Sequence, residues 1–258
     1  MTLLPHAMPA GWVPPPGHLT DRTLLITGAG QGIGRATARA CASAGAVVIL
    51  LGRSASKLEA VYDEIVGQGG PKPAIVPFDL SSATQDQLQA LALSIKRTTG
   101  RLDGIVHAAS HFTSTMPLEA ITLEAWERTA RIHLTGPAAL TQTCYPMLKR
   151  APDASIVFLT ESHAEDPRAY WGGFATVKSA LRHLVAVWAD ENETTGPRFN
   201  LLLPGPLRAP MRHRSHPGED AGRLADVDVV ARPMLYLLGP APLGSRINGV
   251  CVSLDPAQ

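Results

Sequence analysis

Thr23-Leu24-Leu25-Ile26-Thr27-Gly28-Ala29-Gly30-Gln31-Gly32-Ile33-Gly34-Arg35 carries a short apolar strand through a glycine-rich turn into a helix. Glycines at 28, 32 and 34 allow a sharp turn, a close approach of backbone to a pyrophosphate, and tight packing of the helix on the strand. The helix start then offers unpaired N–H groups and the positive end of its dipole to phosphate oxygens. The stretch reads as a dinucleotide cradle, with Gly28, Gln31, Gly32, Ile33 and Gly34 as candidate contacts.

Outward from this stretch, short apolar runs alternate with segments of helical period. That is the pattern of an α/β fold with a doubly wound parallel sheet covered by helices on both faces. Strands are expected at 23–27, 46–51, 74–77, 103–108, 154–159, 198–203 and 249–254, the last leading into Asp255, which makes about seven in a single Rossmann-like domain. Helices are expected at 32–44, 56–68, 83–98, 123–149, 168–191 and 226–238. Residues 1–20 hold Pro5, Pro9, Pro14, Pro15 and Pro16 and read as an extended or mobile arm. The polar connection from Pro204 to Leu224 is too long for a plain turn and is the candidate lid. Leu134, Ala138, Leu140, Leu181, Leu184, Val185 and Trp188 recur at helical spacing and are assigned to the core.

Composition removes several classes of partner. A net charge of +1 with 17% charged residues leaves no basic stripe for nucleic acid. No apolar run reaches the roughly 18 residues of a membrane span, and the first residues lack the pattern of a signal peptide, so a cytoplasmic location is expected. Cys41, Cys144 and Cys251 are few, scattered and set among apolar residues, which suits buried thiols. No metal-ligand spacing is present.

Ligands of such sheets lie beyond the carboxyl ends of the strands, where strand order reverses. About 20 residues past the glycines, an acid would hold the ribose of NAD. Here Gly52-Arg53-Ser54 stands instead. A guanidinium fork with a hydroxyl beside it suits a phosphate, which favours NADP(H). Asp79-Leu80 ends the third strand, as an adenine contact or as the N-cap of the next helix.

Taken with Trp126, Thr135-Gly136 and Pro204-Gly205, these motifs resemble the short-chain dehydrogenase/reductase family over almost the whole chain after residue 20. The resemblance implies oxidoreductase activity on a carbonyl or alcohol and further cofactor contacts at Ala108, Ala109, Pro204, Gly205 and Leu207. It also implies a homodimer or homotetramer built on the two long helices. The family's catalytic set is a Tyr and a Lys four residues apart, a Ser thirteen before the Tyr, and an Asn on the preceding long helix. Spacing of four puts phenol and ammonium on one helix face, where the cation lowers the phenol's pKa from about 10.

In this chain Lys178 is present, but the matching positions carry Phe174, Glu161 and His133, with Ser162 one residue from the expected Ser. A phenyl ring has no proton to give, so the standard reaction is expected to be weak or absent. Glu161, His163, His133, His107 and His111 fall near the ends of strands four and five or on the adjoining helix. They are either a replacement acid/base set or polar residues on a solvated rim. Three functions stay open: an oxidoreductase with a changed proton donor, a catalytically silent NADP(H)-binding scaffold or sensor, and a lyase or isomerase using Glu161 and His133.

Overall fold

The computed structural model describes residues 2–241 and 245–254; Asp255, the expected end of the last strand, lies outside them. Its strands are β1 (Leu4–His6), β2 (Thr23–Thr27), β3 (Val47–Gly52), β4 (Ala74–Pro77), β5 (Gly104–His107), β6 (Ser155–Leu159), β7 (Arg198–Leu203) and β8 (Val250–Ser253). Its α-helices are α1 (Gly32–Ser43), α2 (Ala55–Gly67), α3 (Gln85–Thr99), α4 (Leu123–Ala130), α5 (Gly136–Leu148), α6 (Gly172–Glu191), α7 (Pro210–Ser215) and α8 (Ala231–Leu238). All eight strands form one parallel sheet in the order β1-β8-β7-β6-β5-β2-β3-β4.

Alternation along the strands explains why helices cover both faces. Leu24, Ile26, Val48, Leu50, Val106 and Val157 point into one core with α1, α2 and α8. Their neighbours Leu25, Ile49, Leu51, Ile105, Ile156 and Phe158 point into the other, with α3, α5 and α6. With both faces buried, the strands read as continuous apolar runs. Strand order reverses between β2 and β5, so the crevice opens over Gly28 and the Ala108-Ala109 turn.

The sheet has one strand more than expected, because part of the N-terminal arm belongs to it. Leu4, Pro5 and His6 pair with Val250, Cys251 and Val252 of β8. Pro5 is tolerated there because β1 is an edge, where an outward-facing N–H is not needed. The arm is tied down further by a 2.9 Å bond between His6 Nε2 and the Tyr236 hydroxyl. The Trp12 ring packs edge-on against Tyr236 at 5.2 Å.

The helix expected over 123–149 is broken by a π-helical turn, Arg131–Thr135. Pro137 has no N–H to return to the carbonyl of residue 133, so the hydrogen-bond ladder shifts register. The helix expected at 168–191 starts only at Gly172, after Tyr170 adopts a left-handed φ of 72°. The segment expected at 226–238 is a 3-10 turn, Val227–Val230, followed by α8. The connection from 204 to 224, expected to be more than a plain turn, contains α7 and a 3-10 turn at Ala221–Arg223. A pairing of Leu207 with Ala225 and a bidentate Arg212–Glu219 bond fold it back on itself. No described helix is long and apolar enough to cross a membrane.

Candidate active site

A cleft of about 500 Å³ lies at the strand-order reversal. Its phosphate end is made by the turn after β2. Gly28 has φ 66°, and a Cβ there would stand 2.8 Å from the Ala109 backbone. A Cβ on Gly34 would collide with the Gly28 carbonyl. Only glycine permits these approaches. Thr27 Oγ1 accepts from Ala109 N at 3.0 Å and donates to the Val106 carbonyl at 3.3 Å, which ties the turn after β5 to the turn after β2. Gln31 precedes α1 without a capping side chain, and the first turn holds no acid. The helix N–H groups therefore remain available to an anion.

Arg53 and Ser54 line the cleft at the end of β3. Ser54 precedes α2 without capping it. Lys57, one turn into α2, reaches across to donate to Gln31 Oε1 at 2.7 Å. Asp79 accepts from Ser81 N and Oγ at 2.9 and 2.7 Å. Although partial burial works against it, those bonds and the charges of Arg53 and Arg128 hold the Asp79 carboxyl below its ordinary range. Asp79 does not cap the next helix: Thr84 does, in a reciprocal capping box with Gln87.

The opposite end of the cleft is bounded by Thr160, Glu161, Phe174, Lys178 and Met211. Lys178 is buried and its Nζ donates to the Leu159 carbonyl at 2.7 Å. Burial brings the ammonium pKa down to about 8, opposed by the charge of Glu161. The Phe174 ring lies over that ammonium, 5.7 Å from Nζ to the ring centroid. Phe174 also meets Phe112 edge-on at 5.5 Å and His133 edge-on at 5.0 Å. Burial pushes the Glu161 carboxyl up, and His163, Lys178 and Arg212 pull it back. Its Oε1 is buried without a partner, as is the Thr160 hydroxyl.

The histidines do not converge as a set. His107 sits beneath the cleft, 2.8 Å from the Thr141 hydroxyl and stacked on Phe158 at 4.5 Å. Burial, then Lys178, lowers its pKa to about 3. His133 is buried with Nε2 committed to His111, 2.8 Å from its carbonyl oxygen. Burial, then Lys178, holds His133 neutral, well below the ordinary imidazole range. His111 lines a separate cavity of about 40 Å³ behind Phe174, with Phe112, Tyr170 and Trp171. His163 packs on Trp171 at 4.4 Å.

The cleft thus collects Gly28, Gln31, Gly32, Ile33, Arg53, Ser54, Asp79, Leu80, Ala108, Ala109, Glu161, Phe174, Lys178 and Pro204. Gly34, His133, Ser162, Gly205 and Leu207 are not on its wall. Gly34 acts beneath the turn, and Ser162 opens a 3-10 turn. Sequence reasoning missed Lys57, Ser110, Met211 and Arg214, which also line the cleft. Lys57 had a usable signal, being one turn beyond Arg53. Met211 and Arg214 had none, since α7 reaches the cleft only through the folding of the connection after β7, where the Ser110 hydroxyl meets Met211 Sδ at 3.0 Å. The three cysteines are buried and free. Among the described residues no cluster of His, Cys, Asp or Glu could hold a metal ion.

A parallel doubly wound sheet with a glycine-walled anion cradle at its reversal point defines a Rossmann-type nucleotide-binding protein. Residues 22–220 match the short chain dehydrogenase family, and the chain belongs to it. The chain is 34% identical over 240 residues to YciK of Escherichia coli K12, an uncharacterized oxidoreductase, covering 93% of this chain and 94% of that one. A short chain dehydrogenase structure from Salmonella enterica serovar Typhi superposes with a TM-score of 0.91 at 31% identity, over 95% of this chain and all of that one (100%). A structure from Escherichia coli CFT073, complexed with NADPH, gives 0.89 at 33% identity over 94% of this chain and 100% of that one.

Proposed function

We propose that the chain binds NADP(H) in this cleft and is an oxidoreductase in which phenol-driven proton transfer has been lost. The cofactor fits the residues present: the Gly28 turn has room only for backbone, the α1 start offers free N–H groups, and Arg53, Ser54 and Lys57 line the cleft at the end of β3, where they would hold a phosphate. The NADPH complex of the similar Escherichia coli CFT073 protein supports the same choice. When bound, the cofactor supplies or accepts a hydride. The chain's own part is to hold the phosphates, to anchor the nicotinamide ribose through Lys178, and to cover the substrate with residues 204–224.

The single observation that carries the impaired chemistry is the Phe174 ring over the Lys178 ammonium, where the family resemblance calls for a phenol. His133 cannot substitute as an acid, because it is buried, neutral and bonded to the His111 backbone. The same facts favour, as a second reading, a catalytically silent NADP(H) binder. They weigh against a lyase or isomerase in which Glu161 and His133 share a substrate. The test is a fluorescence titration with NADPH and NADH, followed by NADPH oxidation against a panel of ketones and aldehydes. Preference for NADPH with little turnover is expected. Equal affinities refute the cofactor choice, and turnover ordinary for such enzymes refutes the lost proton transfer.

A further inference from the structure

Between β7 and Asp226 the chain carries four arginines, and three of them are paired: Arg208 with Asp226, Arg212 with Glu219 and Arg223 with Asp220. Arg214 is exposed and has no hydrogen bond or ion pair with any described residue. Of the four, it alone lines the cleft. Pro210, Met211 and Arg214 recur there at helical spacing, so one face of α7 looks into the cleft. That face is seated on the nucleotide cradle: a Cβ on Gly32 would stand 3.8 Å from Pro210 Cδ, and the Ser110 hydroxyl meets Met211 Sδ. Arg214 lies one turn beyond Pro210.

Arg53 comes from β3 on one side of the strand-order reversal, and Arg214 from the connection after β7 on the other. Both act on the turn after β5: burial lowers the His111 imidazole, and the charges of Arg128, Arg53 and Arg214 lower it further. Neither acid of the cleft wall balances Arg214. The cations that act on Asp79 are Arg53 and Arg128, and those that act on Glu161 are His163, Lys178 and Arg212. An uncompensated guanidinium therefore stands over free helix N–H groups, and both favour an anion.

We propose that Arg214 grips the pyrophosphate of the bound dinucleotide from the α7 side, holding it between a guanidinium fork and the backbone of the Gly28–Gly34 turn. The inference rests on the NADP(H) reading above for the identity of the ligand. The pyrophosphate is favoured over the phosphate on the ribose because α7 meets the cradle at Gly32, whereas Arg53, Ser54 and Lys57 already line the end of β3. A fork that meets two phosphate oxygens adds direction as well as charge.

The test uses the full-length protein and two fragments of the cofactor: ADP-ribose, which has the pyrophosphate and no 2′-phosphate, and 2′-AMP, which has the reverse. In calorimetric titrations Arg214→Ala is expected to weaken ADP-ribose by about tenfold, the worth of a charge-assisted contact at an exposed position. Binding of 2′-AMP is expected to be unchanged, which also shows that the variant folds. Arg223→Ala removes a charge from the same connection but not from the cleft wall, and is expected to alter neither affinity. Failure of the unmodified chain to bind ADP-ribose, an unchanged ADP-ribose affinity in Arg214→Ala, an equal loss for 2′-AMP, or an equal loss in Arg223→Ala overturns the inference. A separate NADPH titration of the unmodified chain decides the cofactor reading, so the two failures are distinguishable.

Discussion

Phe174 lies one turn before Lys178 on α6, with its ring centroid 5.7 Å from the lysine Nζ. The side chain that faces this ammonium is a phenyl ring, which carries no exchangeable proton. Phe174→Tyr combined with Glu161→Ser is therefore expected to raise NADPH oxidation with simple ketones by about a hundredfold, the usual worth of a positioned acid. Steady-state rates on the same ketone panel check this. No rise, in a double variant that still binds NADPH, defeats the assignment.

Arg53 lines the cleft beyond β3 where an acid would serve NAD. Arg53→Ala is expected to weaken NADPH binding by about 10- to 100-fold, the worth of a charge-assisted phosphate contact. NADH affinity should hardly change. Parallel fluorescence titrations decide, and an equal loss for both nucleotides assigns Arg53 no role in the choice between them.

Gly28 combines φ 66° with a would-be Cβ 2.8 Å from the Ala109 backbone. Gly28→Ala is expected to lose at least about 1–3 kcal/mol of stability from the backbone conformation alone. Gly67→Ala, where a Cβ meets nothing within 4 Å, is the control and should be close to neutral. Urea midpoints of the two variants provide the comparison.

His107 titrates at about 3 in the folded chain against 6.5 for the ordinary imidazole. Above pH 6.5 it is neutral folded or unfolded and adds no pH dependence. Between 6.5 and about 3 only the unfolded chain takes the proton, so stability falls with pH by up to about 1.4 kcal/mol per unit. His133, lowered in the same direction, adds to the slope. His107→Gln should flatten the decline between pH 6 and 5, measured as urea midpoints; an unchanged slope removes His107 as its source.

Much of the scaffold was legible because the parallel strands are buried on both faces, so their apolar runs and the glycine turn are local signals. Seven strands fall within a residue or so of their expected places. β1 was not legible: three residues containing a proline carry no periodicity, and they become a strand only because the β8 edge lies beside them. The π-helical turn shifts the hydrogen bonds around His133 in a way that a period of 3.6 does not report. In the site, Arg53, Glu161 and Lys178 were visible as residues at strand ends and helix positions. Lys57 and Arg214 emerged from packing.

The order of residues alone determined the nucleotide fold and the cradle, and set a phenylalanine four residues before Lys178, because each depends on residue type within one strand, turn or helix. Tertiary structure decided what Glu161 and the histidines became. It turned His133 and His107 away into buried, neutral contacts and left Glu161 on the cleft wall with an unsatisfied oxygen. Protonation and partnership depend on desolvation and on neighbours brought from distant parts of the chain, and no local pattern encodes those.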